Sequence, residues 1–472
     1  MKPVLLADQV RRAEEEFWAR HPGVDLMERA AAGVAAAARE LLDQWPGSGR
    51  PMVVVAAGSG NNAGDALFAA AALEAQVLVW AVADQTHPAG LRACLKAGAL
   101  LVSRAEALDA LEEAALVIDG VAGIGSRRGL AETVEAFAAH ARRHRVPVLA
   151  VDLPSGIAAD RPGVAAPSFH AARTVTFIAH KVAHLAQPAA GRCGLTSVVD
   201  IGVGTDAAQV WQVEQADLAS WYPWPQPTSD KYSRGVVGLD TGSARYPGAA
   251  VLSAAGALFT GAGMVRHTGE QVVADRVLSR FPSVVPGTGR VQAWVCGSGW
   301  AVEEEREQLR ARLLEHCADG VPLVLDAGAL ELLPSTLPDG SLLTPHAGEL
   351  ARLLDIDRAR VEDDPLTHVR DAAQRHRATV LLKGATQYVA SPDGSVLLAV
   401  AGPAWSAQAG SGDVLAGSCG ALLAAGLPAH QAAAVAASLQ ALTAAEHPGP
   451  RPPDELASLF PDVIAGWDPQ SV

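Results

Sequence analysis

The chain has 472 residues, 49% of them hydrophobic and 19% charged, with a formal net charge of −14. That length can fill two to four cores, and the composition is that of an ordinary soluble globular protein. The acidic balance argues against a nucleic-acid partner, and no apolar stretch of about 18 residues runs free of charge, proline or loop signals, so no membrane span is expected. Five cysteines (Cys94, Cys193, Cys296, Cys317, Cys419) stand without a CxxC pair. Reduced thiols and a cytoplasmic location are expected, and the opening MKPVLLADQVRRAEEEF turns charged too soon for a signal peptide.

In chain order, 8–20 and 26–42 read as helices. Alternating strand and helix signals follow, with short apolar strands at 52–57, 76–82, 116–119, 146–152 and 174–179. Near-continuous apolar strands with helices between them predict an α/β fold, a parallel sheet covered on both faces. The polar residues sit in the loops after these strands, at the edge where open α/β sheets bind ligands. The first loop is Gly58-Ser59-Gly60-Asn61-Asn62-Ala63-Gly64-Asp65, which lacks the dinucleotide fingerprint GxGxxG. The second runs from Asp119 through Gly120-Val121-Ala122-Gly123-Ile124-Gly125-Ser126-Arg127-Arg128-Gly129, and the third is Asp152-Leu153-Pro154-Ser155-Gly156. Asn62, Asp119 and Ser155 could meet there as oxygen ligands of a cation. Each is also a common loop residue, but three at consecutive strand ends favour a site.

The stretches VVVAAGSGNNAGDALFAAAAL, VIDGVAGIGSRRG and VDLPSGIAAD resemble the N-terminal, YjeF-type domain of bifunctional NAD(P)H-hydrate repair enzymes. The resemblance implies a Rossmann-like three-layer domain over residues 1–215 that epimerises hydrated NAD(P)H. By position, Asn61, Asn62, Ala63, Gly64, Asp65, Gly123, Ile124, Gly125, Ser126, Arg127, Arg128 and Gly129 would contact the hydrated nucleotide. Asn62, Asp119 and Ser155 would hold K+, and Asp152 would face the substrate as acid/base. Ala63 departs from the family's usual Gly; were positive φ needed there, Ala would cost about 1 kcal/mol.

Further on, Ser220-Trp221-Tyr222-Pro223-Trp224-Pro225-Gln226-Pro227-Thr228 cannot continue a helix or a central strand, and 216–230 reads as a semi-rigid linker. The α/β pattern then restarts over 231–472, with strands at 235–240, 291–296, 321–326 and 380–383 and a charged helix at 303–316. The last strand signal leads to Gln408-Ala409-Gly410-Ser411-Gly412-Asp413 and an apolar helix. Glycines that permit positive φ, followed by a helix N-terminus, aim N–H groups at one point and attract a phosphate. Asp413 would repel that anion and makes sense as a base beside it. A helix cap explains Asp413 alone equally well; the Gly, His and Lys at neighbouring strand ends argue for a site.

This half resembles the ADP-dependent NAD(P)H-hydrate dehydratase domain, a ribokinase-like three-layer fold. The matching stretches are KYSRGVVGLDTGSARYPGAAVLSAAGAL, PLVLDAGAL, LLTPHAGELARLL, VLLKGATQYV and GSGDVLAG. By position, Ala249, Gly299, His346 and Asp413 would contact the hydrated nucleotide. Lys383, Gly384, Ala385, Thr386, Gln387 and Gly412 would hold ADP or AMP. Where the family usually has DAD, this chain has Asp326-Ala327-Gly328; where it has GPG, Gly297-Ser298-Gly299; and Ala409 replaces a Gly. His346, after Thr344-Pro345, also reads as a residue that starts a helix.

The implied function is epimerisation of R and S NAD(P)HX, then ADP-dependent dehydration of the S form to NAD(P)H with release of AMP and phosphate, with Asp152 and Asp413 catalytic. The expected cofactors are K+ in the first domain and Mg2+ with ADP in the second. The expected partners are small molecules, with no nucleic acid or membrane, and a homo-oligomer is anticipated. An alternative is a ribokinase-like ATP-dependent small-molecule kinase whose N-terminal domain only binds nucleotide. A further alternative makes the first half a non-catalytic assembly module, against which Asp65, Asp119 and Asp152 speak.

Overall fold

The computed structural model describes residues 1–125, 128–164 and 166–467. The chain divides into two compact units, Pro3–Ala208 and a second made of Met1–Lys2 with Gln209 onward. Strand β1 is Lys2–Val4. In the first unit β2 (Met52–Ala57), β3 (Gln76–Ala81), β4 (Leu100–Val102), β5 (Leu116–Gly120), β6 (Val148–Val151), β7 (Arg173–Phe177) and β8 (Leu195–Val199) form a seven-stranded sheet in the order β4-β3-β2-β5-β6-β7-β8. Every pair in it is parallel.

The period of two along a strand sorts its residues onto both faces. Val53, Val55 and Ala57 enter the core beneath helix Leu26–Leu42, whereas Val54 and Ala56 enter the opposite core with Phe137. Burial on both faces is why the strand reads as an unbroken apolar run. The strand order reverses between β2 and β5, which opens a crevice at their carboxyl ends. The three polar loops follow β2, β5 and β6, neighbours in the sheet, so the topology gathers them.

The second unit holds β9 (Val210–Gln212), β10 (Val236–Asp240), β11 (Met264–His267), β12 (Val285–Pro286), β13 (Ala293–Cys296), β14 (Leu323–Leu325), β15 (Leu342–Leu343), β16 (Thr379–Leu382), β17 (Tyr388–Ala390) and β18 (Val396–Leu398). Its eleven-stranded sheet runs β1-β9-β18-β17-β16-β15-β14-β13-β10-β11-β12. The pairs from β12 to β16 are parallel, and β17 runs against them, antiparallel to both β16 and β18. Helices Pro247–Phe259 and Ser411–Ala424 pack backbone to backbone. A Cβ at Gly256 would lie 2.0 Å from the Val414 carbonyl oxygen, and one at Gly417 2.0 Å from that of Ser253.

The division falls at Ala208 and Gln209, earlier than the expected end of the first domain at 215. The expected linker belongs to the second unit. Gln215–Trp221 is a helix, and Trp221, Tyr222 and Trp224 pack on that unit's core, because the aromatics bury more surface than the prolines disrupt.

Candidate active sites

In the first unit, Gly60 leads into helix Asn61–Ala71, so Asn61, Asn62, Ala63, Gly64 and Asp65 form its first turns beside β5. Ala63 is buried in that helix, and its φ is not positive. The departure from Gly therefore carries no backbone penalty. Gly123 comes between the loops: a Cβ there would lie 2.9 Å from both Asn62 Oδ1 and Asp152 Oδ2. Ile124 donates its N–H to Asp152 Oδ2 at 2.9 Å, and Gly125 lies near Arg11. Gly129, at φ 89°, donates to the Gly156 carbonyl, and Arg128 reaches toward Gly163. Ser126 and Arg127 lie outside the described residues.

Asp119 and Ser155 are joined directly. Oδ2 accepts the Ser155 N–H at 2.7 Å and Oδ1 accepts its hydroxyl at 2.6 Å and the Val121 N–H at 3.2 Å. Burial pushes Asp119 up to about 6 against these donors. Asn62 stands on the neighbouring turn with a buried amide nitrogen that has no partner.

Asp152 follows β6 at φ 64°, a left-handed backbone rare outside glycine. Its Oδ1 accepts from Thr176 at 2.8 Å and pairs with Lys181 Nζ at 3.0 Å. Burial alone would raise its pKa; the Lys181 ammonium, His184 and the hydrogen bonds outweigh it and hold the carboxyl below the usual range. His184 accepts the Lys181 N–H on Nδ1, so Nε2 carries the proton and donates to the Asp152 carbonyl at 2.7 Å. Burial and Lys181 push that imidazole down to about 3. Asp65 behaves oppositely: burial, then Asp152, Glu14 and Asp25, push it up to about 8. Burial and its neighbours thus shift Asp152 and Asp65 in opposite directions within one unit. Arg11, Glu14, Thr176, Lys181 and His184 were not singled out in the sequence; a lysine inside the apolar run around 174–186 was the one available signal.

In the second unit, Gly410 turns at φ 90° into helix Ser411–Ala424, and no side chain caps that helix. Asp413 in its first turn is therefore not the cap. Burial and then Asp326 push it up to about 7, with Lys383 opposing. Lys383 follows β16, and its Nζ donates to Asp326 Oδ1 at 2.6 Å, lies 4.0 Å from Glu349, and sits 3.4 Å from where a Gly412 Cβ would be. Burial would lower the Lys383 pKa, but Asp326, Glu349 and Asp413 raise it overall.

His346 stands beside Lys383 and caps helix Ala347–Leu354: Nδ1 accepts from Gly348 at 3.0 Å and Glu349 at 3.3 Å. Its Nε2 therefore carries the proton and lies 3.5 Å from Glu349 Oε1, on a side chain that is half exposed. The cap is thus one role of its geometry, as the sequence before it suggested. A Gly299 Cβ would lie 2.5 Å from the Ala249 Cβ, so Ala249 and Gly299 touch. Gly384 and Ala385 are exposed on the turn that leads through Thr386 and Gln387 into β17.

Two comparisons match separate parts of the chain: residues 237–456 match the family described as NAD(P)H-hydrate dehydratase, and 23–183 match YjeF-related protein N-terminus. The bifunctional NAD(P)H-hydrate repair enzyme Nnr of Mycobacterium tuberculosis is 40% identical over 451 residues, covering 92% of each chain. That of Mycobacterium leprae is 40% identical over 462 residues, covering 93% of this chain and 94% of the relative. The chain belongs to the family of bifunctional NAD(P)H-hydrate repair enzymes. Among solved structures, an ADP/ATP-dependent NAD(P)H-hydrate dehydratase from Bacillus subtilis matches with TM-score 0.50 at 24% identity, covering 54% of this chain and 98% of its own. A ribokinase-like superfamily protein from Enterococcus faecalis matches with TM-score 0.51 at 20% identity, covering 55% and 97%. These two show the ribokinase-like fold.

The departures from this family's usual text are coupled. A Cβ at Gly328 would come within 2.8 Å of Val302 and 2.9 Å of Trp300, so the second carboxylate of DAD has no room here. Ser298, in place of the proline of GPG, donates its hydroxyl to Asp326 Oδ2 at 2.8 Å, a bond proline could not make. At the GSGD turn the left-handed residue is Gly410, and Ala409 does not have positive φ.

Proposed function

We propose that the chain repairs hydrated NAD(P)H in two reactions, epimer exchange in the first unit and ADP-dependent dehydration in the second. The observation that carries the second is Asp413, uncapping, in the first turn of a glycine-led helix beside Lys383. Hydroxide is a poor leaving group. Asp413 takes the proton of the ring hydroxyl as that oxygen attacks the terminal phosphorus of ADP and AMP departs. Helix N–H groups and Lys383 stabilise the transferred charge. Phosphate then leaves and the adjacent ring carbon gives up a proton, which restores the reduced ring. Ala249, Gly299 and His346 seat the hydrated nucleotide; Lys383, Gly384, Ala385, Thr386, Gln387 and Gly412 seat ADP. Mg2+ would enter on the nucleotide phosphates, where it neutralises charge.

In the first unit Asp152 carries the proton during epimer exchange. Asn61, Asn62, Ala63, Gly64, Asp65, Gly123, Ile124, Gly125 and Arg128–Gly129 bind the nucleotide, with Ser126 and Arg127 proposed from sequence alone. Asn62, Asp119 and Ser155 fit K+: they offer oxygens with one carboxylate, and Asn62 Oδ1 opens toward the second loop, 2.9 Å from where a Gly123 Cβ would sit. That weak charge suits a large monovalent ion better than Mg2+, which favours octahedral coordination and keeps several waters. K+ would fix the loops. The test is to supply both hydrate epimers with ADP or ATP and follow the return of reduced-nicotinamide absorbance. Full conversion with ADP supports the proposal; accumulation of a stable phosphorylated product from ATP would establish the kinase alternative.

A further inference from the structure

We infer that Lys181 is a positioning residue of the N-terminal site, its ammonium fixing the Asp152 carboxylate in the orientation that proton transfer requires. The inference rests on the reading of Asp152 as acid/base. Lys181 is 1% exposed, and its Nζ reaches Asp152 Oδ1 at 3.0 Å, Thr176 Oγ1 at 2.7 Å and the carbonyls of Phe177 at 3.0 Å and Ala179 at 3.2 Å. These partners belong to two strained strand ends. Asp152 follows β6 at φ 64°, and Ile178 follows β7 at φ 69°, a backbone a β-branched residue rarely takes. The carbonyls that accept from Lys181 Nζ flank Ile178, so one ammonium ties the strained turn to the carboxylate.

The grip is two-sided. Lys181 holds the Asp152 side chain while His184, one turn along, holds its carbonyl at 2.7 Å and receives the Lys181 N–H. Thr176 and Lys181 occupy Oδ1. Proton exchange is thereby directed to Oδ2, which among the described residues accepts the Ile124 N–H and faces Gly123. A buried ion pair is seldom the most stabilising filling for such a space, since apolar residues of similar volume often do as well. Its value here is geometric: the carboxylate cannot swing away from the loop that would hold the nucleotide.

The test uses the full chain with Lys181→Met, Lys181→Gln and Lys181→Ala, each checked for the melting transition of the first unit. In the folded Met and Gln variants, epimerase kcat is expected to fall about 100-fold, the scale of a misplaced reacting group, while KM for the hydrate changes little. Dehydratase turnover on the purified reactive epimer stays at the wild-type value. In Lys181→Ala, n-propylammonium in the medium restores part of kcat, 1-propanol of the same shape does not, and neither stimulates the wild type. Wild-type kcat in a folded Met or Gln variant overturns the inference. So does equal rescue by the alcohol, which would make Lys181 a space-filler, and so does loss of the folded unit in all three variants, which would make it a folding residue. Asp152→Asn separates the levels: full activity there sinks the reading of Asp152, whereas an inactive Asp152→Asn beside a fully active Lys181→Gln sinks only the role of Lys181.

Discussion

Each unit joins a buried aspartate to a lysine at the carboxyl ends of its strands, but the wiring differs. In the first, Lys181 sits on Asp152 itself, and that carboxyl is held below the usual range despite full burial. In the second, Lys383 is drawn onto Asp326 at 2.6 Å. Asp413 is left with burial and a like charge, and rises to about 7. The same two residue types thus hold one carboxyl below the usual range in one place and leave another raised to about 7 in the other. Proton affinity is set by which carboxylate the lysine touches, a principle that paired acid and base groups exploit generally.

The most severe way to break the comparison is to remove each acting carboxylate. Asp413→Asn is expected to cut dehydratase turnover by about 10²–10⁴-fold and leave epimerisation intact. Because Asp413 is raised in the fold, it binds its proton more tightly there than in the unfolded chain, so it opposes folding above its folded pKa. The variant should therefore melt no lower than the wild type at alkaline pH, as calorimetry would show; a large drop would return Asp413 to a structural role. Asp152→Asn should have the mirror effect. With mixed epimers and ADP, absorbance should rise and stop part-way once the reactive epimer is spent.

Asp326→Asn tests the lysine's tether. Asp326 accepts from Ser298, Thr344 and Lys383 and is almost wholly buried. Removing its charge should destabilise the second unit by about 3 kcal/mol, read from denaturant unfolding. A smaller contrast comes from glycine. Gly123→Ala would set a methyl 2.9 Å from Asn62 Oδ1 and Asp152 Oδ2, and should slow epimerisation up to about 100-fold. Gly412→Ala meets Lys383 Nζ at 3.4 Å, an ordinary contact, and should preserve the fold with the milder loss of activity. Steady-state kinetics of the two variants would rank them. Smallest is the alkaline side of epimerisation: Asp65, raised to about 8 by burial and neighbouring carboxylates, should lose its proton there, and Asp65→Asn should remove that limb.

The loops were legible because their chemistry is local. GSGNNAGD and GSGD announce a turn and a helix start in consecutive residues, and the strands before them are apolar throughout because both faces are buried. Edge strands β4 and β8 were not legible: Leu100, Leu101 and Leu195 are exposed, so they carry no burial pattern. The supporting residues were also hidden. Lys181 and Glu14 are some 170 residues apart in sequence and neither stands in a turn motif; only the fold brings both within the influence of Asp152. The rhythm also missed that β17 runs antiparallel to its neighbours, since direction leaves no mark in a short apolar run.

The most direct measurement is the pH dependence of the two reactions on one preparation, each with its own purified epimer and with saturating potassium. Dehydration needs Asp413 unprotonated, so kcat/KM should fall below about 7 and be about tenfold lower one unit further down. Epimerisation, with Asp152 ionised throughout, should keep its rate over that interval. Parallel acid limbs for the two reactions, or a dehydration rate flat to the ordinary carboxylate range, would contradict the difference in wiring.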